Sequence, residues 1–266
     1  MIYYKTVDEI EFIKQSSLIV SGALAEVAKA IKPGITTIQL DLLIDQYIRD
    51  LNAEPAFKGY RDFPKSSCIS VNEEVVHGIP SDRVLKEQDI VSVDIGVKKN
   101  NYFGDSAYTF AIGEISDDHV KVMRVTYDSL YKGIEQAKSG NRIGDISWAI
   151  QNYVETQNGF GVVRDLVGHG IGRNLHEEPE VPNYGGRGRG PKIQSGLVIA
   201  IEPMVNRGTK NVKQAKDGWT IYSADKSISA HFEHTVAVMQ KETLILSDFL
   251  IIEEAVKNNK ELRKLN

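Results

Sequence analysis

Two aspartates, Asp94 and Asp105, stand in residues 89–110 (DIVSVDIGVKKNNYFGDSAYTF), within alternating apolar runs on either side of Lys98-Lys99-Asn100-Asn101. Alternation on both sides of a polar tip predicts a β-hairpin. With Lys99-Asn100 at the centre of the tip, the aspartates face each other directly, their Cβ atoms about 5 Å apart. Opposed like charges destabilise a sheet, and strands disfavour Asp, so such a pair requires a compensating cation or a shared proton. A register shifted by one residue would turn one aspartate to solvent instead. Glu202, ending the run LVIAIEPM, and Glu233, inside AHFEHTVAVM, raise the same difficulty. Each interrupts a stretch that reads as buried, and a buried carboxylate needs a partner or a proton.

Five of the six histidines lie in dense motifs: His77 in VVHGIP, His169 and His176 in VGHGIGRNLHEEP, His231 and His234 in HFEHT. His119, at a charged helix start, reads as exposed. Gly168 and Gly170 remove bulk beside His169 and are expected to let a ligand approach the backbone. Imidazole is a common metal ligand and a proton carrier near neutral pH. Asp94, Asp105, His169, Glu202 and Glu233 together suit two divalent cations about 3.5–4 Å apart, with a hydroxide clamped between them. An oxygen-rich set with one imidazole fits Mn, Fe, Co or Zn and not a thiolate structural zinc site. His77 and His176 stay outside that set, available to substrate.

The elements that must position these groups are legible as patterns. Residues 7–31 carry Ile10, Ile13, Leu18, Leu24, Val27 and Ala28 at helical spacing, and Lys32-Pro33-Gly34 ends the run. Thr36 or Thr37 caps a second helix reaching about Leu51, with Leu40, Leu43, Ile44, Tyr47 and Ile48 inward. Short β-rich runs follow at 68–71, 89–97 and 102–112, then helices at 117–138 and 143–157. The second half returns to strands at 197–204, 218–223 and 231–239. Residues 185–196 (GGRGRGPKIQSG) read as a solvated loop. No low-complexity linker divides the chain, so 1–266 is taken as one α+β catalytic domain with helices on a largely antiparallel sheet. Residues 252–266 are read as a polar C-terminal tail.

The 266 residues are 41% hydrophobic with net charge −4, enough to bury a core without a metal or disulfide staple and too acidic for a general DNA binder. One cysteine, Cys68, forms no internal disulfide. The charged start MIYYKTVDEIEF is no signal peptide, and no apolar run approaches the roughly 20 residues of a membrane helix. A cytoplasmic protein with no membrane partner is expected.

The ordered motifs HGIP (77–80), DIGVKKNNYFGD (94–105), GHGIGRNLHEEP (168–179), IEPM (201–204) and FEHT (232–235) resemble those of type I methionine aminopeptidases, and the similarity runs from the first helix to about residue 248. The resemblance implies a pita-bread fold: two pseudo-symmetric halves around a curved antiparallel sheet, with a dinuclear metal site at the centre. By it, Asp94 chelates one metal, Asp105 and Glu233 bridge both, and His169 and Glu202 complete the other. His176 contacts the scissile carbonyl, His77 the amide nitrogen side, and Glu202 takes a proton from the nucleophilic water. Tyr60, Phe63, Cys68 and Trp219 line the methionine pocket, with Phe57 and Leu175 nearby. His231 stands where glutamine is expected and could support Glu233, while His234 points away. Asn72 and Ser229 match positions that bind a monovalent cation in some members.

The implied activity is removal of N-terminal methionine from nascent chains by a monomer, with a small second residue preferred. Ribosome contact through the GRGRG segment is the alternative to a plain surface loop. Two other pita-bread readings fit less well. Proline-directed peptidases usually carry a separate N-terminal domain, and type II methionine aminopeptidases carry a helical insertion for which 176–202 is too short. A binding protein that lost catalysis would have lost ligands, and all five are present.

Overall fold

The computed structural model describes residues 1–265. Its first half contains α1 (Val7–Ala30), α2 (Thr37–Asp50), β1 (Glu54–Pro55), β2 (Cys68–Val71), β3 (Glu74–Val76), β4 (Ile90–Lys99) and β5 (Tyr102–Ala111). The second contains α3 (Asp117–Ile134), α4 (Ile143–Gln151), β6 (Gly161–Val162), β7 (Gly168–Gly170), β8 (Glu177–Val181), β9 (Leu197–Ile201) and β10 (Met204–Asn206). It continues through β11 (Val212–Gln214), β12 (Ile221–Ser223), β13 (Ser229–His231), β14 (His234–Val238), β15 (Thr243–Ile245) and α5 (Phe249–Asn258). Two helices preceding a set of strands recur in each half, and the paired strands run antiparallel.

Helix α1 starts on a capping box: the Thr6 hydroxyl accepts from Glu9 N, and the Glu9 carboxylate accepts from Thr6 N. Thr36, rather than Thr37, caps α2 in the same way with Gln39. Ile10, Ile13, Leu24, Val27 and Ala28 are buried as their spacing requires, but Leu18 is 43% exposed. Position 18 lies at the rim of the apolar stripe. Gly104 lets α1 lie directly on β5, since a Cβ there would meet Ser17 N at 2.4 Å.

The β4–β5 hairpin differs from expectation by two residues. Its turn is Asn100-Asn101, with φ of 52° and 63°, so Asp105 pairs with Gly96 and Asp94 with Ala107. A two-residue hairpin turn of this kind needs positive φ at both positions, which Asn tolerates better than Lys. The shift preserves side-chain parity. The two aspartates remain on one face, diagonal instead of directly opposed.

In the second half the two strands carrying the glutamates are broken at the glutamates. β9 stops at Ile201 and β10 starts at Met204; β13 stops at His231 and β14 starts at His234. Within the stretch read as a polar tail, α5 extends to Asn258 and buries Ile252, Ala255 and Val256. Leu262 then bridges to Ile112. That reading is corrected: apolar residues at helical spacing continue through the charged run. Helix α3 ends at Ile134, short of 138, and the last turn of the expected 143–157 helix is π-helical. The GRGRG segment is largely exposed, as expected, yet docked. Gly188 N donates to Asp145 Oδ1, Gly144 N donates to Arg189 O, and the Arg187 guanidinium sits 5.3 Å from the Trp148 ring.

Hydroxyls join the halves where no ladder does. Thr235 Oγ1 donates to Asp105 O, Ser106 Oγ to Glu233 O, and Thr109 Oγ1 to His231 O. Glu233 N donates to Ala107 O. One apolar core spans both halves, from Ile19 on α1 to Phe249 on α5.

Glu9 ties α1 to β5 by accepting from Tyr102 Oη at 2.8 Å and to the second half by accepting from Arg173 at 3.2 Å. The Thr6 amide, then Tyr102, hold its carboxyl down at about 2. A depressed carboxyl contributes stability above its unfolded pKa and loses it as pH falls through the folded value. Glu9→Gln is therefore expected to cost about 1 kcal/mol at neutral pH. The difference from wild type should shrink as pH falls from about 4.5 toward 2, read from urea unfolding midpoints.

Candidate metal centre

Each half delivers two acids to a single cavity of about 190 Å³. Asp94 and Asp105 project from one face of the β4–β5 hairpin. Glu202 and Glu233 flank the end of the β9–β14 ladder, where Ile201 pairs with His234. His169 reaches in from β7. Its Nε2 lies 3.9 Å from Asp105 Oδ2 and 3.6 Å from Glu202 Oε1. One donor atom each from Asp105, His169 and Glu233 falls within 4.8 Å of the others. All five expected metal ligands thus line the same space, together with His77 and His176.

The electrostatics require bound protons or a cation. Asp105 and Glu233 are 3% and 2% exposed. Burial, then the neighbouring acids, pushes the carboxyls of Asp105, Glu202 and Glu233 well up; burial also raises that of Asp94. Asp94 Oδ1, Asp105 Oδ1 and Glu233 Oε1 are buried without a hydrogen-bond partner. Among the described residues, the ion-pair distances to these acids involve only His169 and His231. His169 cannot supply positive charge, since burial holds it down to about 4. Its Nδ1–H donates to Gly170 O at 2.9 Å, which leaves the Nε2 lone pair aimed into the cavity. Orphaned carboxylate oxygens around a neutral, pre-oriented imidazole fit divalent cations.

The flanking glycines are required by strand packing. A Cβ on Gly168 would strike Ala200 O at 2.4 Å, and one on Gly170 would strike Glu178 O at 2.3 Å. They let β7 fit between β9 and β8.

Around the acids the expected contact residues fall into two groups. Phe63, Cys68, Leu175 and Trp219 form an apolar pocket with Phe57, the Phe63 and Trp219 rings meeting edge-on at 5.1 Å. Tyr60 does more than line it, since its Oη lies 2.8 Å from His176 Nδ1. The His176 ring lies tilted against His169, with ring centroids 4.2 Å apart. His77, at φ 58°, lies 6.4 Å from the Trp219 ring, and burial lowers its pKa. A non-glycine residue in that region of φ is strained and is held there by its surroundings.

His231 Nε2 is buried, unpartnered and 3.9 Å from Glu202 Oε2, so it faces Glu202 rather than Glu233. His234 points away and is packed, meeting Tyr131 Oη at 3.1 Å and Ser247 Oγ at 2.6 Å. His119 is half-buried, not exposed. Asn72 and Ser229 have protein partners: the Asn72 side chain bonds Asp89 and Ile90, and Ser229 N donates to Asn72 O. Asn183 escaped sequence reading. It is fully buried and its Nδ2 donates to Glu202 O, but the loop sequence PNYGG carries no signal for that role.

The sequence profile of metallopeptidase family M24 matches residues 11–240. The chain belongs to that family. Among its relatives it is 54% identical to a Clostridium acetobutylicum protein named methionine aminopeptidase, over 93% of this chain and 99% of that one. It is 50% identical to methionine aminopeptidase 1 of Bacillus subtilis, over 90% and 96%. The crystal structure of methionine aminopeptidase from Thermotoga maritima superposes with a TM-score of 0.91 at 45% identity, covering 93% of this chain and all of that one. Prolidase from Pyrococcus furiosus, at 22% identity and a TM-score of 0.74, shares the pita-bread fold. A metallopeptidase family and the buried group of Asp105, His169 and Glu233 together support the use of divalent metal. No described helix is long and apolar enough to cross a membrane.

Mutual repulsion in the cluster gives a test independent of turnover. Asp105→Asn removes one buried charge, so it should stabilise the chelator-treated protein by about 1–2 kcal/mol. The same change should abolish the rise in unfolding temperature that wild type shows on adding Mn²⁺.

Proposed function

We propose that the chain is a metallo-aminopeptidase that removes N-terminal methionine from peptides and nascent chains in the cytoplasm, preferring a small second residue. The observation that carries this reading is the convergence of four carboxylates and one neutral imidazole beside a pocket of aromatic and sulfur-bearing side chains. Relatives named methionine aminopeptidase at about half identity over nearly their whole length support it.

In this reading Asp94, Asp105, His169, Glu202 and Glu233 hold two divalent cations of the Mn, Fe, Co or Zn type. Such ions supply Lewis acidity to the scissile carbonyl and bring the pKa of a water near neutrality. The chain's own groups do the rest. Glu202, whose carboxyl is raised by burial and by Asp94 and Asp105, accepts a proton from the attacking water and returns it to the leaving amine. His176 donates from Nε2 to the oxyanion of the tetrahedral intermediate. Tyr60 sets that tautomer: by donating its hydroxyl to Nδ1 it leaves the proton on Nε2. His77 faces the amide nitrogen side. Phe63, Cys68, Leu175 and Trp219 take the thioether, a polarisable group suited to aromatic and sulfur surfaces. The reading needs no monovalent cation.

The deciding assay reconstitutes metal-free protein with Mn, Fe, Co or Zn and offers Met-Gly-Met, an N-blocked analogue and a Pro-bearing dipeptide. Only Met-Gly-Met should be cleaved, and only with metal. Cleavage of the blocked peptide, or of the Pro dipeptide alone, would overturn the reading. His176→Ala should lower kcat by about 10²–10³ if the ring stabilises the oxyanion, whereas a pure rise in KM would mean uniform substrate binding. Tyr60→Phe should lower kcat by roughly tenfold through the lost tautomer bias, with KM for Met peptides changed much less.

A further inference from the structure

A buried ion pair sits one residue from His176 and outside the cavity. Lys5 Nζ lies 2.5 Å from Glu177 Oε2, and the two side chains are 5% and 4% exposed. In nine other Lys and Arg pairs the cation is at least 33% exposed. Those are surface pairs of small energetic value. A buried pair gains little over an apolar one in net stability, because desolvation of both charges opposes their attraction. Its value lies in fixed geometry.

The geometry it fixes is that of the loop 171–176. Glu177 Oε1 accepts from Asn174 N at 3.1 Å, while Oε2 takes Lys5. Lys5 is itself held: its Nζ donates to Tyr3 O at 3.0 Å and its backbone N to Gly196 O at 2.7 Å. Ile2 bridges to Glu178 and Lys5 N reaches Gly196 O, so residues 2–5 run from β8 toward the start of β9. Gly172 leaves the passage open, since a Cβ there would lie 2.4 Å from Lys5 Cε and 3.0 Å from Glu177 Oε1. At its other end the loop is fastened by Phe103 N donating to Gly172 O, and by Arg173 pairing with Glu9 over the Tyr102 ring. His176 stands between the two fastenings, held from the front by Tyr60.

We propose that Lys5 is a positioning residue for His176: by pairing with Glu177 it fixes the loop that aims the imidazole over the metal centre. Residues far from the cavity in sequence, ahead of α1, thereby form part of the working site. The inference rests on the reading of His176 as the group facing the reacting carbonyl.

The test compares Lys5→Met, Lys5→Arg and the double variant Lys5→Met/Glu177→Met, each loaded with Mn²⁺, on a Met-Ala-Ser peptide. Lys5→Met should lower kcat by about 10–100-fold, the range expected for a misplaced catalytic group. KM should change by less than about 3-fold, and bound Mn²⁺ per chain should not change. Lys5→Arg should recover most of the rate. The double variant removes both charges and keeps the volume, so it should fold even where the single variant does not, with the same loss of kcat.

Long-range ¹H–¹⁵N spectra of the proteins loaded with diamagnetic Zn²⁺ in place of Mn²⁺ should show His176 Nδ1 and Nε2 well separated in wild type, and drawn together in both Met variants as the ring loses its fixed tautomer. A double variant with wild-type kcat, or His176 signals unmoved in the Met variants, overturns the proposal. Failure of wild type to cleave the peptide would overturn the reading of the activity instead, and the nitrogen shifts alone would then decide the positioning.

Discussion

Four carboxylates meet in one cavity of this protein, and among the described residues no lysine or arginine pairs with them, although Arg61 lines the same cavity; the rest of the architecture is arranged around that repulsion. Two are nearly inaccessible to water, and three of the acids carry a buried oxygen with no hydrogen-bond partner. In a low-dielectric site such groups either take up protons or bind cations. The single imidazole among them is neutral and presents a lone pair, which adds a ligand and no charge. A cluster that is unfavourable by itself and favourable around dications is the signature of a metal centre.

Convergence of acids from both halves explains the construction of the sheets. The hairpin holds Asp94 and Asp105 on one face, diagonal enough to leave room between them. The glutamates come from breaks in paired strands, where the chain can turn a side chain out of the ladder without losing register on either side. Hydroxyls of Ser106, Thr109 and Thr235 then bind the backbone of the glutamate-bearing segment to that of the hairpin. The acids of one half are thus fixed directly against those of the other. Glycines at 168 and 170 let the histidine strand slot between its neighbours.

Much of this is written in the sequence. Charged residues in otherwise apolar strand patterns mark the acids, and the order of five motifs marks the family. The helices α1 and α2 follow from periodicity and capping residues. What the sequence hides is mostly three-dimensional compensation. The hairpin register turned on which two residues occupy left-handed positions, and the face assignment survived only because the shift was even. Leu18 and the apolar side of α5 needed knowledge of which surfaces the neighbours cover. Asn183 and the Lys5–Glu177 pair join residues far apart in the chain, and no local pattern announces them. The GHG glycines carry an ambiguous signal, because close approach of backbone to backbone and of backbone to ligand require the same residue.

The central claim is that paired dications neutralise the acid cluster. Anomalous diffraction from crystals of the protein soaked in Mn²⁺ tests it most directly. Two peaks lying among Asp94, Asp105, His169, Glu202 and Glu233 are the expected result. A map with no peak in that cavity, with Asp94 and Asp105 turned away from each other, would contradict it.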